Sequence, residues 1–123
     1  MPTAPLARLR KLCLALPESY EQESWGAPTF RVKKGKIFAM YAAADTHAGA
    51  GRHGVWINTV PANQEVMLRA KPSRFFYPPY VGKGGWIGVF LDAKTDWKEL
   101  AGLLQDGWAL SAPKKLVALR SGR

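Results

Sequence analysis
At 123 residues the chain is long enough for one domain with a real core and too short for two, so a single domain over residues 1–123 is expected. Apolar residues make up 47% and charged ones 22%, which excludes a disordered chain, while 18 Lys and Arg against 9 Asp and Glu leave a formal charge of +9 that favours anionic partners such as nucleic acid. One cysteine, Cys13, excludes an intrachain disulfide, and the chain shows neither a signal-peptide layout nor an apolar run of the roughly 18 residues a membrane span needs; a cytoplasmic protein is the expectation.

Leu6, Leu9, Cys13 and Leu16 recur at helical spacing with basic residues between them, predicting an amphipathic first helix ended by Pro17. Residues 18–27 hold three carboxylates and read as a loop leading into a sheet. Residues 28–33 and 36–42 then form two strands around a sharp turn at Lys34-Gly35. The Ala- and Gly-rich stretch 43–52 lacks large side chains and reads as a mobile loop. Residues 54–59 are a β-prone third strand, and 61–70 a short helix with Val66 and Met67 facing inward.

The run from Arg74 to Asp92 is two apolar strands flanking a rigid tip. Pro78 and Pro79 fix φ and cannot donate to a ladder, whereas Gly82, Gly84 and Gly85 open backbone angles closed to other residues. Asp96 can cap a helix carrying Trp97, Leu100, Leu104 and Trp108, and Ser111 with Pro113 can start a last helix through Leu119. The order α-β-β-β-α-β-β-α-α gives an α+β class: a two-layer domain with an antiparallel sheet of about five strands and helices on one face.

The stretch Gly26–Ala39 together with the Arg74–Asp92 hairpin resembles the MmcQ/YjbR family, over about residues 6–120. The resemblance implies a two-layer, CyaY-like α/β fold that has been compared with secretion chaperones. It also implies DNA binding by two hairpin wings.

Arg31, Lys33, Lys34 and Lys36 concentrate charge at the first hairpin, and Arg74 with Lys83 add charge at the second. These six are the candidate phosphate contacts, since lysine and arginine release counterions from a nucleic-acid backbone. Lysines at turns and edges also guard a sheet against aggregation, and both readings stay open. Tyr80 and Trp86 flank the Gly-rich tip and are candidates for stacking or for a small ligand. Gly82-Lys83-Gly84-Gly85 looks like a phosphate cradle without the P-loop spacing.

Two alternatives accompany DNA binding. One is a protein- or peptide-interaction module using the sheet face and the Pro-Pro-Tyr tip; the other is a small-molecule pocket lined by Trp25, Trp56 and Tyr77. His47 and His53 with Asp45 lack metal-ligand spacing, and Glu18, Glu21 and Glu23 read as a solvated acidic segment. No nucleophile motif surrounds Cys13 or any serine, so neither catalysis nor a cofactor nor a metal is expected.

Overall fold
The computed structural model describes residues 4–43 and 52–121; the stretch read as a mobile loop lies almost wholly outside them. Helix α1 runs Ala4–Leu14 and is followed by strands β1 (Ser19–Ser24), β2 (Ala27–Val32), β3 (Ile37–Ala42) and β4 (Gly54–Ile57). Helix α2 (Pro61–Ala70), strands β5 (Phe75–Phe76) and β6 (Ile87–Phe90), and helices α3 (Trp97–Ser111) and α4 (Lys114–Ser121) complete the order. All six strands form one sheet in the order β1-β2-β3-β4-β6-β5, with every neighbouring pair antiparallel.

The expected α+β class holds, with one strand more than the sequence reading supplied. The extra strand is β1, inside the segment read as a loop. Its residues Ser-Tyr-Glu-Gln-Glu-Ser are half-buried or exposed, none buried, and the strand is an edge, so it needs no apolar run to join the ladder.

One sheet face carries Phe30, Val32, Ala39, Tyr41, Val55, Ile57, Phe75, Ile87 and Val89 in the core with Leu9 and Cys13 of α1 and Leu100, Leu104 and Trp108 of α3. Met67 and Leu68 of α2 and Leu116 and Val117 of α4 pack against the same cluster. Period-2 alternation in the strands and period-3.6 spacing in the helices thus meet on one layer boundary. Val66 differs from expectation: it is 65% exposed, because α2 covers only the β5 side of the sheet and one stripe of it suffices.

Phe30 pairs with Ala39 but Arg31 with Ile37, so β3 carries an extra residue, Phe38, which the bulge turns into the core. The opposite face bears a straight cross-strand row of Gln22, Thr29, Met40, Trp56, Gly88 and Phe76. No described helix covers that row. The Phe76 ring lies across Gly88 and Gly54, and the buried Trp56 indole N–H has no hydrogen-bond partner among the described residues.

Asp96 is the N-cap of α3: its Oδ1 accepts from the backbone N–H groups of Lys98 and Glu99 at 3.1 and 3.0 Å. The Glu99 hydrogen bond leads the causes that hold this carboxyl below its ordinary range. A carboxyl depressed in the folded state contributes stability above its unfolded pKa and loses it as pH falls through the folded one. Asp96→Asn, which keeps an oxygen acceptor but cannot titrate, should therefore flatten the acid limb of stability below about pH 4. Urea midpoints at neutral and acid pH check this; an unchanged acid limb would remove Asp96 from the titration.

Candidate nucleic-acid interface
The antiparallel order puts the β2–β3 turn and the β5–β6 tip at the same end of the sheet. β2 and β5 end there, β3 and β6 begin there, and β4 runs out beside them at Ile57. Two strand spacings, about 10 Å, separate β3 from β6.

The β2–β3 turn is tightly held. Val32 N–H donates to Lys36 O at 3.2 Å, Gly35 N–H to Val32 O at 2.9 Å, and Lys33 N–H to Glu18 O at 2.9 Å. Lys36 N–H donates to Ser111 O at 3.0 Å, tying the turn to the last residue of α3. A Cβ at Gly35 would collide with that same Ser111 carbonyl, so the approach requires glycine. Lys34 sits at φ 62°. The link also brings Lys114 and Lys115, exposed at the start of α4, to this end. The sequence showed that pair after Pro113, but only the Ser111 contact reveals its place beside the turn.

Ser111 itself differs from expectation. It closes α3 instead of opening α4, buried with its hydroxyl 2.9 Å from Gly107 O and 3.2 Å from Ile37 O while accepting from Asn58 Nδ2 at 2.8 Å.

The second tip is a single turn of 3-10 helix, Gly82–Gly84, ended by Gly85 at φ 97°. The N–H groups of Val81, Gly82, Gly84, Gly85 and Trp86 all donate to carbonyls within the tip, and Gln64 Nε2 of α2 donates to Gly82 O and Trp86 O at 2.8 and 2.7 Å. These five amides are engaged within the tip and are not donors to a phosphate. What it presents outward are side chains: Lys83, exposed, Tyr80 at 74% exposure and Tyr77 at 54%, the latter with its ring against Gly82. Trp86 is half-buried beside them.

Of the six candidate phosphate contacts, Lys33, Lys34, Lys36 and Lys83 thus share one end. Arg31 lies on the sheet face away from the described helices, its Nη2 donating to Ser24 Oγ at 2.8 Å and its Nε to Thr29 Oγ1 at 3.2 Å. Arg74 stands at the opposite end, where β5 begins and where its charge helps to hold the Asp96 carboxyl down. The trio Trp25, Trp56 and Tyr77 does not assemble: Trp25 is 78% exposed in the β1–β2 turn and Trp56 is buried on the sheet face away from the described helices.

Among the described residues, the salt bridge at the basic end is Lys33 Nζ to Glu18 Oε1, at 3.8 Å. Three of the four described non-glycine residues with positive φ, Glu18, Lys34 and Tyr80, also cluster there, with Trp25 at the other end. Backbone held in the left-handed region costs on the order of 1 kcal/mol per residue and concentrates at binding surfaces.

Other candidate chemistry is absorbed by structure. Glu21 takes a bidentate ion pair from Arg10 at 2.6 and 2.8 Å. The Cys13 thiol is buried, and desolvation, with Glu21 adding, pushes its pKa well above the ordinary thiol range, which keeps it protonated and unreactive. His53 Nδ1 lies 2.8 Å from Tyr41 Oη; His47 and Asp45 fall outside the described residues. No group of three or more potential metal-ligating His, Cys, Asp or Glu occurs among the described residues, and no described helix is long and apolar enough to cross a membrane.

Similarity to known proteins agrees with this architecture. No curated protein matches the sequence. The crystal structure of Deinococcus radiodurans protein DR2400, assigned to domain family DUF419, superimposes with a TM-score of 0.72 at 20% identity, covering 100% of this chain and 84% of that one. At that identity the likeness establishes the fold. The sequence model of the YjbR family matches residues 14–110, a stretch that runs from the end of α1 through both hairpins to α3, and on that match the chain belongs to the YjbR family.

Proposed function
We propose that the protein binds nucleic acid through the phosphate backbone, using the basic end of its sheet, and that it does so without catalysis. The observation that carries this reading is the gathering of Lys33, Lys34 and Lys36 with Lys83, Lys114 and Lys115 at one end, where the Lys36–Ser111 hydrogen bond fixes the turn against the helix layer. Among the described residues, only Lys33 of these six has a carboxylate within 4.0 Å, and an exposed pair of that kind is worth little. Each remaining ammonium is available to neutralise a phosphate and release its counterion. Nothing in the turn reads base edges, so the binding is weakly specific.

Fluorescence anisotropy of a labelled duplex at about 50 and 200 mM salt tests the reading. Affinity should fall steeply with salt, and replacing Lys33, Lys34 and Lys36 together with alanine should lower the slope of log K against log salt by up to about 3. Absence of binding at the lower salt would sink the proposal, as would a triple variant that binds like the native chain.

A second reading, an interaction module for another protein, draws on the sheet face that no described helix covers. Partner binding that survives both high salt and the lysine substitutions would favour it.

A further inference from the structure
We infer that the ligand of the basic end is single-stranded nucleic acid, and that Tyr80 is the platform on which one of its bases stacks. This rests on the phosphate-binding reading above and names the strand state it selects.

The tip is tightly held and most of its backbone donors are engaged internally. Five of its backbone N–H groups bond internally, and Gln64 clamps two of its carbonyls from α2. Those five N–H groups are not free to recognise a ligand, and beside them the tip holds a tyrosine 74% exposed at φ 66°. A bulky side chain in the left-handed region is disfavoured, and glycine would fit there without strain. An aromatic ring kept at that position despite the backbone preference, beside a second exposed ring on Tyr77 and the ammonium of Lys83, points to use of the ring face.

The geometry selects among nucleic acids. In a duplex both faces of each base are covered by its neighbours, so a projecting tyrosine gains little; an unpaired base has a free face and stacks on it regardless of sequence. The lysines of the β2–β3 turn lie about two strand spacings from β6. A flexible single strand can bend from the turn to the tip, its phosphates on the lysines and a base on Tyr80.

The test uses a labelled oligothymidylate of about 15 nucleotides and its duplex with oligoadenylate. The full chain is compared with Tyr80→Gly, which removes the ring while relieving the backbone, and with Tyr80→Phe, which restores the ring without the hydroxyl. Tyr80→Gly should weaken single-strand binding about ten-fold, leave duplex binding within about two-fold, and Tyr80→Phe should recover the native affinity. Equal single-strand affinities for native and Tyr80→Gly would overturn the stacking assignment while leaving the phosphate reading intact. Failure of the native chain to bind either probe at low salt would overturn both.

Discussion
Trp108→Ala should lower the unfolding free energy by about 3–5 kcal/mol, the range for deleting a large buried aromatic. Trp108 is among the largest side chains in the core, 1% exposed, and stands one helical repeat after Leu100 and Leu104 on the buried face of α3. Its indole also holds a connection far away in sequence: Nε1–H donates to Pro17 O at 2.9 Å, where α1 passes into β1. The alanine variant thus loses packing and leaves the Pro17 carbonyl without that donor. Trp108→Phe separates the two effects, since it keeps an aromatic ring but not the N–H, and should recover most of the loss short of about 1 kcal/mol for the hydrogen bond plus a smaller packing deficit. Denaturant unfolding at neutral pH gives both values. A loss below about 1 kcal/mol for the alanine variant would mean that the site collapses freely and that α3 does not seal the core as described.

Gly85→Ala should destabilise the fold by about 2–4 kcal/mol, combining a left-handed backbone penalty with forced overpacking. Gly85 lies at φ 97°, and a Cβ there would stand 2.7 Å from Pro61 Cδ and 2.8 Å from Pro61 N. The second atom belongs to the backbone at the start of α2, so rotating a side chain away brings no relief. Gly84 supplies the internal control. A Cβ at that position would meet nothing nearer than Trp86 Cδ1 at 4.0 Å, and its φ is not in the left-handed region. Gly84→Ala should accordingly be neutral or stabilising by about 0.5 kcal/mol, through the unfolded chain's reduced freedom. Thermal melts of the two variants side by side decide the matter: similar midpoints would contradict the packing of the tip against α2.

The elements most legible in the sequence were those whose pattern coincides with burial. Helix α3 announced itself through Asp96 and the spacing of Trp97, Leu100, Leu104 and Trp108, and the β5–β6 hairpin through its prolines and glycines. β1 escaped because an edge strand with polar residues on both faces has no hydrophobic period to read. Val66 differs because α2 covers only a margin of the sheet and its inward stripe falls on Met67 and Leu68, which leaves Val66 outside it.

At the site, charge was visible and position was not. Arg31 and Lys33 are two residues apart, yet the strand sends Arg31 across the sheet face, where Ser24 and Thr29 hold it. Arg74 and Lys83 belong to one hairpin, but β5 starts at one end of the sheet and the tip closes at the other. Lys114 and Lys115 join the basic end only through a contact between residues 36 and 111, a separation no local pattern encodes.

The bond from Trp108 to Pro17 also bears on how the chain is made. Every described strand precedes α3 in the sequence, and α3 is the helix that lies over β2, β3 and β4. During synthesis the apolar side of the sheet therefore has no α3 to bury it until residues near 111 have left the ribosome. Because the closing contact joins residues 91 positions apart, loop closure comes late and native packing is reached near the completion of the domain, not helix by helix as it emerges.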